Sequence, residues 1–206
     1  MSFTPALLPQ LIEAIASTIE TNAKTVTALD QAIGDGDHVI NLQRGLNALM
    51  AQREELSQLE WAAAWQKIGM TIMSSVGGAA GSLLGTLFVA MSKAAREQAN
   101  FADIFKAGVE AMKLRGKSDA GEKTMLDVLI PVALYLQTAA TENLSMAETL
   151  ENVSQVAIAG MESTRDMLAT KGRASFLEER TRGHIDAGAR TSQLMICAIV
   201  AVLAGQ

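Results

Sequence analysis

Residues 29–41 read L-D-Q-A-I-G-D-G-D-H-V-I-N. Before this stretch, Leu7, Leu8, Leu11, Ile12, Ile15 and Ile19 recur at helical spacing. After it, Ile40, Leu46 and Leu49 do the same and are expected to face inward. Between them stands G-D-G-D, which suits a tight turn and little else. The stretch therefore predicts two amphipathic helices joined by one sharp acidic loop. The first ends near Asp30 and the second runs from about His38 to about Glu55.

The same grammar repeats down the chain. Ser57 is placed to cap a third helix that carries Leu59, Trp61 and Trp65 to about Ser75. After the loop V-G-G-A-A-G-S, a fourth helix begins at L-L-G-T. Phe101 to Leu114 reads as the fifth. A sixth starts near Glu122 and carries Pro131, which is expected to kink it. Ser145 caps a seventh reaching about Thr170; Lys171 to Gly188 is a polar loop, and an eighth helix closes the chain. No segment alternates with period two. The prediction is an all-α fold, an eight-helix antiparallel up-and-down barrel or bundle, forming one domain over residues 1–206. In such a bundle alternate loops share one end. Those after the first, third, fifth and seventh helices (34–38, 77–82, 116–123 and 171–188) are the four rich in glycine and charge. They place a site at that end.

Composition supports this reading. Hydrophobic residues make up 49% of the 206 residues and aromatics only 4%. Ala, Leu and Met lose little rotamer freedom in a helix. A net charge of −5 argues against nucleic-acid binding through phosphates. A lone cysteine, Cys197, allows no intramolecular disulfide and suits a reducing cytoplasm. With two histidines besides, the usual Cys/His zinc cage is excluded. The N-terminus has no basic region or signal-peptide core. The apolar run from Leu194 is shorter than the ~20 residues of a membrane span and reads as a buried core helix, so no membrane partner is expected.

Chemistry concentrates in the loops. Asp30, Asp35 and Asp37 crowd like charge into one turn. A hard divalent cation removes that repulsion, and Mg²⁺ commonly shares such ligands with phosphates. The alternative is a solvated turn that caps the second helix. An EF-hand is ruled out, because no bidentate Glu follows at the required position. The glycine-rich Ser74–Ser82 run would let a backbone approach an anion at a helix N-terminus, or would serve close helix packing. It is neither a Walker loop nor a Rossmann fingerprint. Arg115, Lys117 and Lys123 share a loop with Gly121, for which a solvated turn is the plainer reading. Lys171, Arg173, Arg180, Arg182 and Arg190 gather in an otherwise acidic chain and suit phosphates. His38 and His184 offer acid–base chemistry or simple capping. Met73, Met125 and Met161 read as core filler or as a clamp for a purine.

Five ordered motifs then converge: I-G-D-G-D-H, S-S-V-G-G-A-A-G, G-E-K-T-M-L-D, K-G-R-A-S-F-L-E-E-R and G-H-I-D-A-G-A-R-T-S. Over essentially its whole length the chain resembles the ADP-binding subunits of the dihydroxyacetone (glycerone) kinases that draw on the phosphoenolpyruvate-dependent phosphotransferase system. The resemblance implies a helical barrel with the nucleotide at one end. Asp30, Asp35 and Asp37 would hold two Mg²⁺ that bridge the phosphates of ADP or ATP. His38 and Asn41 would lie near the nucleotide, with Gly78, Ala79, Ala80 and Ser82 under its phosphates. Gly121, Thr124 and Met125 would line base and ribose, and Arg180, Asp186 and Gly188 would close the site. No residue is assigned a covalent catalytic role.

It implies partners too. A dihydroxyacetone-binding kinase subunit would receive the γ-phosphoryl group, and a phosphohistidine-carrying phosphotransferase subunit would recharge ADP in place. A cytoplasmic homodimer, active only with those subunits, is the expected form. Val39 stands where the family usually has glycine, which would narrow the approach to the nucleotide. D-A-G-A-R-T-S stands for the usual D-P-G-A-T-S, making Arg190 an extra phosphate contact or the mark of a kinase for another short ketose or ketotetrose. An ATP-exchanging kinase subunit and a non-enzymatic helical regulator are the competing readings.

Overall fold

The computed structural model describes residues 4–97 and 100–206. All regular structure among them is helical. After a 3₁₀ turn at Pro5–Leu7, α1 spans Leu8–Thr21 and α2 Ala23–Ile33. α3 is His38–Ala51, α4 Arg53–Ser57, α5 Trp61–Ser75 and α6 Gly78–Ala94. α7 is Phe101–Gly116, α8 Leu126–Glu142, α9 Met146–Ser163 and α10 Ala187–Ala204. Two 3₁₀ turns, Thr164–Asp166 and Arg173–Thr181, lie between α9 and α10.

The long helices pack in chain order: α3 on α5, α5 on α6, then α7, α8, α9 and α10 in turn. α10 packs on α1, and α1 on α3, so the ring closes. Ile19, Val26, Leu56, Val109 and Met112 are fully enclosed in its core. A second cluster around Val128, Val153, Ala157 and Ile185 joins α8 and α9 to the segment that enters α10.

Several boundaries differ from those the sequence suggests, each for a local reason. The first helix is two, parted at Asn22, whose side-chain amide donates to the Thr18 carbonyl at 2.9 Å and competes with the helical ladder. The second is parted at Gln52. Ser57 ends α4, its hydroxyl donating to the Glu54 carbonyl, and Glu60 stands at the N-cap of α5 instead. Ile40 is 62% exposed, because the buried stripe of α3 is Val39, Leu42, Leu46 and Leu49 and Ile40 lies outside it. The glycine-rich run is not a loop beyond Gly77: α6 begins at Gly78. α8 begins at Leu126 rather than Glu122, and α9 ends at Ser163. Asn100 and Ser145 cap α7 and α9 with their side chains. Met73 is exposed and Met161 is core.

α10 is the helix among the described residues long and apolar enough to cross a membrane. It packs on α1, α2, α8 and α9, and it buries Thr191, Ser192 and Gln193 among them. Its C-terminal half is largely half-buried or exposed, so it is a partly buried helix of the ring rather than the fully buried one the sequence suggests.

Pro131 sits inside α8 and has no N–H to give the Asp127 carbonyl one turn back. α9 approaches at that place: a Cβ on Gly160 would lie 2.4 Å from the Asp127 carbonyl oxygen. Gly160→Ala is therefore expected to destabilise the fold by about 1–3 kcal/mol through overpacking, despite alanine's better helix propensity. Urea unfolding of the two proteins measures it.

Candidate functional site

All four glycine- and charge-rich loops contribute to one open pocket of about 400 Å³. Its wall takes residues from the end of α2, the 34–38 turn and the starts of α3, α6, α8 and α10. The segment after α7 and residues 171–174 complete it. Helices therefore alternate in direction around the ring, and four N-termini turn their positive dipole ends toward the same space.

Asp30, Asp35 and Asp37 bring carboxylate oxygens within 4.8 Å of one another on one wall. Asp37 occupies the N-cap position of α3, yet its side chain makes no capping bond. Asp30 does that work from eight residues back, with Oδ2 accepting the His38 N–H at 3.1 Å. Gly34 is what admits Asp30: a Cβ there would stand 2.2 Å from Asp30 Oδ1. Gly36, at φ +78°, turns the chain so that Asp35 and Asp37 come back to the same point. A capping turn needs one carboxylate, and this one holds three. Their nearest cation is Arg173, whose Nη1 meets Asp35 Oδ2 at 2.8 Å. That guanidinium is 73% exposed, so solvent screens the pair. The residual negative charge and the all-oxygen donor set fit a hard divalent cation.

His38 is a cross-link between helices. Its Nε2 lies 3.0 Å from Thr191 Oγ1, whose own proton goes to the Gly188 carbonyl. The imidazole must then donate from Nε2. Burial lowers its pKa against the opposing pull of Asp30, Asp37 and Asp35. Asn41, buried beside it, is approached so closely by Gly77 that a Cβ there would meet Asn41 Oδ1 at 2.5 Å. α6 starts with no capping side chain, so its first N–H groups are free at Gly78, Ala79 and Ala80. Ser82 lines the pocket and accepts from Arg115 Nε at 3.2 Å. Within the glycine run the residues divide by local geometry. Gly77 and Gly78 form the turn, whereas Gly81 serves packing, with a Cβ there falling 2.0 Å from the Val76 carbonyl.

The G-E-K-T-M-L-D motif is a turn wrapped around Asp127. Its buried carboxylate accepts the N–H groups of Gly121 at 2.5 Å and Thr124 at 2.7 Å. Thr124 and Met125 line the pocket; Gly121 does not. Lys123 is no part of a solvated turn: it is buried, its ammonium on backbone carbonyls. Asp127 and Lys123 carry no sequence sign of these roles, since both depend on partners that only the fold brings near.

Asp186 caps α10, accepting the Ala189 N–H at 2.7 Å. With Gly188 it lines the pocket. Arg180 does not; it is exposed. Arg190 turns along α10 to Gln193 Oε1 at 2.7 Å and is outside the pocket wall. Val39 is core and also outside that wall.

The family model for the DAK2 domain matches residues 32–201. The chain belongs to the DAK2 domain family. It is 42% identical over 186 residues to PEP-dependent dihydroxyacetone kinase 1, ADP-binding subunit DhaL, of Listeria innocua, with 88% of each chain covered. It is 35% identical over 201 residues to the corresponding subunit of Escherichia coli, covering 95% and 96%. Among solved structures, it is similar to the dihydroxyacetone kinase from C. freundii in complex with AMP-PNP and Mg²⁺, at TM-score 0.76 and 25% identity. That match spans 97% of this chain and 35% of the longer kinase.

Desolvation pushes the Asp186 carboxyl from its ordinary 3.8 up to about 6. The native state then binds this proton more tightly than the unfolded chain, so Asp186 costs stability as pH rises from about 4 to about 6. Asp186→Asn, which can still cap α10, is expected to remove that loss. The variant gains on the parent above pH ~6 and not below pH ~4, read from urea midpoints across the range.

Proposed function

We propose that this chain is the nucleotide-binding subunit of a phosphoenolpyruvate-dependent dihydroxyacetone kinase, a phosphotransferase working with ADP/ATP and two Mg²⁺. The observation that carries the reading is the carboxylate trio facing four helix N-termini across one pocket. Asp30, Asp35 and Asp37 hold the metal. The first turn of α6 offers N–H groups to phosphate oxygens, and Arg115, Lys171 and Arg173 add positive charge at the rim. Thr124, Met125, Asp186 and Gly188 stand along the remaining wall, where the base and ribose fit. When bound, ATP supplies the phosphoryl group, and Mg²⁺ supplies the charge neutralisation that lets a polyphosphate sit beside carboxylates. The chain's own task is positioning and electrostatic stabilisation, which is what phosphoryl transfer asks of a protein.

The acceptor, dihydroxyacetone, is presented by a separate substrate-binding subunit, and a phosphohistidine-bearing phosphotransferase subunit restores ATP from ADP in place. All of this sits in the cytoplasm. The second reading, an exchanging nucleotide as in single-chain kinases, has relatives such as the L-erythrulose kinase of Pectobacterium atrosepticum, at 27% identity over 34% of that protein. The subunit-type relatives are more similar and are covered almost end to end, which favours the resident cofactor.

Native mass spectrometry tests this. The purified chain is expected to carry ADP and Mg²⁺, and to lose both on chelation. Asp35→Ala and Asp37→Ala are expected to weaken Mg-ADP binding by more than about 100-fold while the circular dichroism stays helical. A chain that takes up no adenine nucleotide with Mg²⁺ would defeat the proposal, and rapid exchange of labelled ADP would favour the second reading.

A further inference from the structure

Lys123 has the look of a phosphate-binding lysine: it lines the pocket beside Thr124, in a turn that opens a helix. Its geometry says otherwise. The residue is 1% exposed. Its Nζ donates to the carbonyls of Thr164 and His184 at 2.5 Å each and of Arg165 at 3.3 Å. An ammonium has three N–H donors, and three carbonyls take them. None is left for a ligand.

Those carbonyls lie at the two ends of one segment. Thr164 and Arg165 follow the last turn of α9, where helix carbonyls lack donors and a cation is favoured. His184 comes just before Asp186 caps α10. Between them runs a strap that is stapled partly to itself and partly to Glu122, which accepts the Thr170 N–H at 3.4 Å and the Thr170 hydroxyl at 3.0 Å and pairs with Lys171 at 3.4 Å. The Gly183 N–H donates to Arg165 O at 2.8 Å, Arg182 Nη1 to Asp166 O at 2.7 Å, and the Ala169 N–H to Thr181 Oγ1 at 3.2 Å. Its middle supplies Lys171, Gly172, Arg173 and Ala174 to the pocket wall, and Arg173 reaches Asp35. The turn that aims the ammonium is itself held. Lys123 sits at φ +60°, a left-handed conformation a lysine rarely adopts, with Asp127 binding the N–H groups on either side of it.

We propose that Lys123 is a positioning residue: it ties both ends of the 164–184 strap to the turn before α8, and so sets Lys171 and Arg173 against the nucleotide site without touching the nucleotide. The proposal deepens the nucleotide-binding reading and rests on it for its ligand arm.

Two measurements on the full-length chain test it. In ¹H–¹⁵N spectra of the lysine ammonium groups, Lys123 is expected to exchange slowly with water and to keep its shift when Mg-ADP is added. A marked shift on Mg-ADP would make it a ligand contact and overturn the proposal. In Lys123→Met, hydrogen exchange over 165–184 is expected to accelerate at least about tenfold while α5 and α6 keep their protection. Mg-ADP is expected to dissociate about tenfold faster, with Mn²⁺ affinity at the trio within about twofold of the parent. Unchanged strap exchange together with unchanged ADP dissociation overturns the latch. If the variant does not fold, the ammonium spectrum of the unaltered chain decides. If the unaltered chain binds no Mg-ADP, the nucleotide reading fails, and strap exchange in the variant still decides the role of Lys123.

Discussion

Three carboxylates held within 4.8 Å of one another repel, and the surrounding chain is shaped by the need to hold them there. Gly34 gives up a side chain so that Asp30 can turn in. Asp30 takes over the capping of α3, and Asp37, which stands at the N-cap, is freed from it. Arg173 arrives from 138 residues down the chain to offset the charge of Asp35 at the surface. Each of these arrangements would be wasteful in a solvated turn. Together they describe a socket for a compact divalent charge.

The rest of the pocket has the opposite polarity, and the ring explains how an acidic chain achieves this. Because helices alternate in direction and the ring closes, the starts of α3, α6, α8 and α10 meet at one end. Helix N-termini carry partial positive charge and unpaired N–H groups without adding any formal charge. A net charge of −5 is thus no obstacle to an anion site. The ligand class that satisfies both walls at once is an anion that carries its own metal, and a Mg-bound polyphosphate is of that class.

Much of this was legible in the sequence, for identifiable reasons. The helices announce themselves by periodicity, and Ser145 by its place before an apolar run. Loop parity alone brought the four charged loops to one end. What stayed hidden depends on contacts between distant residues. Asn22 breaks a helix that reads as continuous because its amide prefers the Thr18 carbonyl. Ile40 belongs to an apolar pattern yet lies one step off the buried stripe of α3. Asp127 looks like an ordinary first-turn acid, and its grip on Gly121 and Thr124 appears only when the turn is folded.

The cations make the same point most sharply. Sequence treats Arg115, Lys123, Lys171, Arg173, Arg180 and Arg190 as one population, because composition records charge and not direction. The fold divides them. Arg115, Lys171 and Arg173 stand at the pocket wall, held there by Ser82, Glu122 and Asp35 in turn. Arg190 is spent on Gln193, Arg180 faces solvent, and Lys123 is consumed by backbone carbonyls. A buried ammonium bears a heavy desolvation penalty, and here only backbone dipoles meet it directly, with Asp186, Asp166 and Asp127 acting from farther off. Removing it would leave the His184 carbonyl without its donor, while the Thr164 and Arg165 carbonyls would keep the Met167 and Gly183 N–H groups. In this chain those carbonyls belong to the one segment that carries charge to the acidic trio. The cation that ties down the strap bearing Lys171 and Arg173 is thus one that offers nothing to the ligand.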